Sequence, residues 1–327
     1  CAFGSEGDYK LTFEIYDING NSVQADNILS YELVSETSAA CDGLQIKFIC
    51  AESCVKIGKI IARRGGEKIF CGFADKQKSV LTDGGYIYVY ARSGGSVLVD
   101  NEAIPCEYRH PTSKQLWLSC AEPFGIKFAL PQVASQGSYA VQKGKSCYAA
   151  INDFMLYTHG TAIYVSPENE LKAFEKNGDI ITADENDVIS AAVVYDRSAV
   201  ISRVDYKINP ADKYIYHLES KLAAENSVLR RRLVNLSALP PWQRDKKCVQ
   251  MLKNSEKSFC TVQVVFSRDA DFKLAGRVTL PFKGFEGQAF IVMKTIRAKN
   301  AGGETTTVHF IPETEEGYLN YVAEQKL

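Results

Sequence analysis

From Lys10 to Arg92 apolar and polar residues alternate at nearly every second position, the period at which a half-buried strand turns successive side chains to opposite faces. Lys10-Leu11-Thr12-Phe13-Glu14-Ile15-Tyr16-Asp17 opens the pattern, and Asn19-Gly20-Asn21 supplies residues that tolerate a left-handed hairpin turn. Further strands are predicted over Ile28–Ser35, Gly43–Cys50, Val55–Arg63, Lys68–Lys76 and Tyr86–Arg92, with turns at Gly65-Gly66 and Asp83-Gly84-Gly85. About six strands with no helical periodicity between them call for a small antiparallel barrel or sandwich.

The texture changes at Ser93. Ser96 to Ala103 suits a short helix. A clearer one follows Pro111 through Glu122, with Thr112 or Ser113 as N-cap and Leu116, Leu118 and Ala121 apolar, and Pro123 with Gly125 ends it. A second helix is predicted from Ser146 to Tyr157, closed by His159-Gly160, and short strands at Thr161–Ser166 and Glu170–Phe174 complete a mixed segment.

Strands then return at Val188–Val194, Ala199–Ile208 and Tyr214–Ser220. Val228 to Leu236 fits strand and helix equally, because Arg230-Arg231-Arg232 sits between Leu229 and Leu233. Pro240-Pro241 starts a helix to about Lys253, proline being tolerated in a first turn. Strands at Phe259–Phe266, Arg277–Phe282 and Gln288–Ala298, a turn at Asn300-Ala301-Gly302-Gly303 and a last strand through Phe310 finish the pattern. The tail after Pro312, with Glu313, Glu315 and Glu316, is expected to be exposed.

The expected fold is mainly β with α+β segments: two small antiparallel β-barrel domains separated and decorated by mixed α/β domains. The boundaries are 1–92 for the first barrel and 93–175 for an α/β domain. Residues 176–215 with 275–327 make a discontinuous second barrel, and 216–274 a small α/β insertion. Lys10–Tyr16 and Ala199–Ile208 are expected in corresponding places of the two barrels. No internal repeat is visible in the sequence itself.

Composition narrows the function. At 327 residues with 46% hydrophobic and 24% charged, the chain belongs to the ordinary soluble globular class and exceeds one typical core. A net charge of −1 supplies none of the counterion release that drives nucleic-acid affinity, so no specific nucleic-acid binding is expected. The Arg63-Arg64 and Arg230-Arg231-Arg232 runs sit in alternating patterns and suit solvated strand faces. No apolar run is long enough to cross a bilayer and no export signal is visible, so no membrane contact is expected. Ten cysteines, scattered among apolar neighbours, suit buried free thiols; Cys50 and Cys54 form the one close pair, without a histidine to complete a zinc site.

Chemistry is sparse. His110, His159, His217 and His309 fall in no triad or metal spacing. Asp100 and Glu102 would share a face of a strand, as a glycosidase pair would need, but they also suit turn flanks before Pro105. Gly94-Gly95 and Gly302-Gly303 are turn glycines rather than phosphate cradles, and Trp117 and Trp242 suit local core anchors rather than sugar-stacking platforms. No enzyme, cofactor or metal is expected.

Val89-Tyr90-Ala91-Arg92-Ser93-Gly94-Gly95-Ser96-Val97-Leu98-Val99-Asp100-Asn101-Glu102-Ala103-Ile104-Pro105, then Glu107-Tyr108 and Pro123-Phe124-Gly125-Ile126, resembles the central hub family of phage tails and baseplates. That family takes in late control D-like proteins, Mu-type and T-even-type baseplate hubs and prophage tail proteins. The motif positions are Arg92, Ser93, Leu98, Asp100, Asn101, Glu102, Ala103, Pro105, Tyr108 and Gly125. Later stretches resemble it in order: Gln142 to Ser146, Asp196-Arg197-Ser198 to Val204, and Gly302 to Thr307. The chain is shorter than many members and richer in cysteine.

The resemblance implies a homotrimer in which two similar barrels per chain make a pseudo-sixfold ring joining a sixfold tail tube to a threefold spike. The implied partners are the chain itself, a tail tube protein, and a tail spike or tape-measure-associated protein. The implied location is a virion tail assembled in the bacterial cytoplasm. Two other classes stay open: a bacterial surface or receptor-binding β module recognising carbohydrate or protein, and a wall-degrading enzyme.

Overall fold

The computed structural model describes residues 11–313, apart from 52–53, 83–84, 176–179 and 269. Lys10, the Asp83-Gly84 part of one expected turn, and Glu315 and Glu316 of the expected exposed tail lie outside the described residues.

The alternating first segment forms β1 (Leu11–Asp17), β2 (Ser22–Val23), β3 (Asn27–Glu36), β4 (Gly43–Ile49), β5 (Ile57–Arg64), β6 (Glu67–Val80) and β7 (Tyr86–Ser93). They pair antiparallel in the order β3-β4-β7-β6-β5-β1-β2. Alternation puts Leu33, Leu44, Ile46, Phe48, Ile60 and Val89 on one face, where they form a buried core. The Phe13 and Tyr31 rings meet at 5.0 Å, so side chains of β1 and β3, at opposite ends of this run, share that core.

The mixed segment holds α1 (Ser96–Asp100), β8 (Cys106–Tyr108), α2 (Ser113–Cys120), β9 (Lys127–Phe128), β10 (Tyr139–Val141), α3 (Cys147–Thr158), β11 (Ile163–Val165) and β12 (Glu170–Ala173). Thr112 and Gln115 form a reciprocal capping box at the start of α2, and the Ser146 hydroxyl accepts from the Ala149 N–H at the start of α3. Leu98, Leu116, Phe154, Met155, Ile163 and Leu171 fill a separate core. Trp117 donates to the Ile126 carbonyl at 2.7 Å and packs edge-on against Phe128, as a core anchor does.

The last part begins with β13 (Ile181–Thr182) and β14 (Val188–Tyr195). Next come β15 (Arg203–Lys207), β16 (Tyr216–Glu219), α4 (Lys221–Glu225), β17 (Arg231–Asn235) and α5 (Pro241–Glu256). It ends with β18 (Cys260–Phe266), β19 (Arg277–Thr279), β20 (Ala289–Asn300) and β21 (Gly303–Pro312). The ambiguous stretch resolves as strand from Arg231 onward: β17 pairs parallel to β15, with Arg231 and Arg232 exposed. α5 covers this three-stranded sheet through Cys248 and Leu252, and Trp242 donates to the Ser138 carbonyl of the mixed segment.

One expectation fails here. Ala199–Ile208 does not correspond to Lys10–Tyr16: its strand, β15, sits between β16 and β17 in a separate sheet, whereas β1 is in the large one. The counterpart of β1 is β13. Setting β13, β14, β18, β19, β20 and β21 against β1, β3, β4, β5, β6 and β7 gives one ladder order in both halves, β14-β18-β21-β20-β19-β13 and β3-β4-β7-β6-β5-β1.

The correspondence extends to register. β20 shifts register against β21 between Val292 and Lys294, and β6 shifts against β7 between Ala74 and Lys76. β14 shifts against β18 between Val188 and Ser190, and β3 against β4 between Ile28 and Ser30. Bulges fix strand bend and register, so matched bulges mark matched strands. Leu44, Ile46 and Phe48 thus correspond to Val262, Val264 and Phe266, all buried. One ladder differs: β13 runs parallel to β19, whereas β1 runs antiparallel to β5.

β20 continues past its contact with β19 and pairs with β3 over six residues, from Lys294↔Glu36 to Lys299↔Tyr31, so the two halves form one thirteen-stranded sheet. The fold is mainly β with α+β segments, as expected, and the pairings form an open path, with no closing ladder among the described residues. Side-chain packing such as Phe13 on Tyr31 curls the sheet where backbone hydrogen bonds do not close it. The tail expectation also shifts at its first residue, since the Glu313 carboxylate accepts from Arg277 at 2.8 Å.

Candidate functional site

The expected motif residues gather at the junction between the first β half and the mixed segment. Arg92, at the end of β7, donates to both Asp100 carboxylate oxygens at 3.0 and 2.7 Å and also to Asp75. These hydrogen bonds, with the Arg92 charge behind them, hold the Asp100 carboxyl below the usual carboxylate range. The Ser93 hydroxyl, buried, accepts from the Asp42 N–H at 2.9 Å, while the Ser93 N–H donates to the Asp42 carbonyl.

Leu98 is fully buried in the mixed core. Asn101 donates to the Val97 carbonyl and its own carbonyl accepts from the Cys147 N–H, which ties the end of α1 to the start of α3. Glu102 bridges to Ser146, and the buried Ala103 donates to the Lys145 carbonyl. Pro105 is exposed before β8, and Tyr108 pairs with Tyr139, burial raising its hydroxyl to about 12. Gly125 has φ +71°, the left-handed conformation that ends the turn after α2. These ten residues brace a junction and converge on no common pocket.

The carboxylate pair does not make a glycosidase arrangement. Asp100 is committed to the Arg92 guanidinium, which holds its carboxyl below the usual range, whereas a general acid needs a proton held near neutral pH. Among the described residues no group of three or more His, Cys, Asp and Glu could hold a metal, and no helix is long and apolar enough to cross a membrane. The nine described cysteines are free thiols; burial raises Cys120 to about 12, far from a reactive thiolate. Cys50 is half-buried and Cys54 exposed.

A groove of about 670 Å3 runs between the first half, the mixed segment and the 271–276 loop. Asp42 is enclosed there, receives a hydrogen bond from Ser35 and faces Arg297, and burial raises its carboxyl from 3.8 to about 6. The folded chain therefore holds this proton more tightly than the unfolded chain. The stabilisation is complete below the unfolded value and is lost as pH rises through about 6. The Asp42→Asn variant is expected to unfold at higher denaturant than the parent at pH 7, by on the order of 2 kcal/mol, with the difference gone at pH 3. Urea titrations at the two pH values check this; equal midpoints at pH 7 would refute it.

The surfaces best suited to work are strand edges, which periodicity cannot reveal. β14 ends the large sheet, and its free edge carries Ile189, Val193 and Tyr195 at 58%, 42% and 67% exposure. Its sequence, VISAAVVY, has no charge and no proline to guard it. β6 pairs with β5 only up to Phe73, so the same edge from Lys76 to Val80 has no ladder partner among the described residues.

No protein-family model and no curated sequence matches the chain. Solved structures do. A 43 kDa tail protein of prophage MuSo2 from Shewanella oneidensis superposes with a TM-score of 0.73 at 12% identity, over 92% of this chain and 98% of that one. A tail protein from Neisseria meningitidis gives 0.70 at 14% identity, over 95% and 98%. An Escherichia coli component of the type VI secretion system, described as structurally similar to T4 bacteriophage tail proteins, gives 0.60 at 9% identity, over 96% and 80%.

The chain thus has the fold of phage and prophage tail proteins, a fold also found in a secretion-system component. At these identities the likeness is one of fold.

Proposed function

We propose that this chain is a structural hub subunit of the distal end of a bacteriophage tail, or of a prophage or contractile injection apparatus, and works through its interfaces rather than by catalysis. Three copies form a ring that joins a sixfold tail tube to a threefold spike or tape-measure-associated protein, within a virion tail assembled in the bacterial cytoplasm. The observation that carries this is the repeated strand order: one ladder order occurs twice in one chain, so three chains offer six near-equivalent β units. Such a ring meets a sixfold partner on one face and a threefold partner on the other.

In this proposal the β units are residues 11–93 and 181–195 with 260–312. The mixed segment 94–175 braces the first unit through Arg92 and Asp100, and residues 196–259 form an insertion between β14 and β18. The test is solution mass by sedimentation, followed by electron microscopy of the assembled particle. A three-copy species with threefold symmetry is expected; a monomer at every concentration, or clearing of peptidoglycan by the purified protein, would overturn the assignment.

A further inference from the structure

The chain already contains one worked example of how its β units join. β3 of the first unit lays its free edge against β20 of the second, antiparallel and in a defined register. The counterpart of β20 is β6, and the counterpart of β3 is β14. Those two strands carry edges with no ladder partner among the described residues, as the terminal strands β2 and β13 also do, and the Gln77 side chain of β6 bonds the backbone of Val55 and Ile57. β14 stands at one end of the sheet path and β6 lies in the other unit, so the two do not pair within a chain, but copies related by rotation can bring them together.

We infer that β14 of one copy pairs antiparallel with the 76–81 edge of β6 in the next copy, in the register of the internal β20–β3 ladder. Counting from the matched bulges, Lys76 stands for Lys294, Lys78 for Ile296 and Leu81 for Lys299. On the other side Asp196 stands for Glu36, Val194 for Val34 and Ala191 for Tyr31. The contact between copies then runs from Lys76 opposite Asp196 to Leu81 opposite Ala191.

Three observations support this occupant. The charge pair at the head of the internal ladder, Lys294 with Glu36 at 3.5 Å, reappears as Lys76 with Asp196. The exposed Val193 and Tyr195 of β14 and Leu81 beyond β6 become covered together. Lys76 and Lys78 oppose pairing of two β6 edges with each other, which favours a contact between unlike edges, the kind that closes into rings. The inference rests on the proposed ring for its closure at three, but the strand pairing and its register stand apart from that number.

The experiment mixes two singly substituted full-length chains, Lys78→Cys and Val194→Cys, under mild oxidation, with each variant alone as control. A disulfide between positions 78 and 194, identified by mass spectrometry and formed only in the mixture, is expected. A second arm measures assembly by sedimentation. Lys76→Glu and Asp196→Lys are each expected to raise the concentration for half-assembly about tenfold, and the double variant to return most of it.

A three-copy species without the 78–194 link and without rescue would overturn the register and leave the hub reading standing. The link formed in open multimers would uphold the pairing and overturn closure at three. Monomers under every condition would overturn both.

Discussion

Replacing Gly95 by alanine is expected to cost about 3 kcal/mol of folding stability, a large loss for one methyl group. Gly95 caps α1 with φ −62° and ψ −21°, a conformation open to any residue, so backbone freedom is not the reason for glycine. The reason is proximity: a Cβ there would lie 2.2 Å from the Ala40 carbonyl oxygen. The obstacle is backbone and cannot turn aside. Relief requires moving the turn between β3 and β4, which carries Asp42 and its two hydrogen bonds with Ser93.

A control separates crowding from conformation. Gly144 has φ +82° and nothing within 4 Å of the place an added methyl would take, so Gly144→Ala meets only the left-handed penalty, about 1 kcal/mol. Urea unfolding of both variants is the measurement. A Gly95→Ala loss no larger than that of Gly144→Ala would show that the β3–β4 turn yields easily and that the junction is not tightly braced.

Phe48→Ala and Phe266→Ala are expected to cost about 4 kcal/mol each. The two rings hold equivalent positions on β4 and β18, are only 0% and 1% exposed, and belong to different cores. Because no side chain is shared between those cores, the losses should add in the double variant. They should also be local: amide exchange should rise in β4 and β7 for Phe48→Ala, and in β18 and β21 for Phe266→Ala. Equal acceleration in both units from either substitution would show one cooperative core and would count against two repeated units.

The strands of the first unit were legible because alternation from Leu11 to Arg92 is nearly unbroken and its glycines fall at turns. The helices were legible through their caps, Thr112 with Gln115 and Ser146. Short strands such as β8, β9 and β13 were not, since two or three residues carry no measurable period. The motif residues could be found, but their role as a brace could not: Arg92 and Asp100 are eight positions apart, and Asp75, their third member, lies on another strand.

The repeat was invisible for a different reason. Gly72 corresponds to Phe290 and Tyr31 to Ala191, so the two units keep ladder order and bulge positions while exchanging side chains. The same blindness misplaced Ala199–Ile208, whose alternation marks a strand without marking which sheet receives it.

The order of residues was thus enough to set most of the longer strands and the capped helices, which face of each is apolar, and that the chain carries no strong charge field. Only folding in three dimensions settled which strands are neighbours, that the sheet stays open, and that β14 and β6 end with unpaired edges. Side-chain period records burial, which is local. Ladder partners are chosen by backbone N–H and C=O groups that are alike at almost every residue, so the choice leaves no local mark.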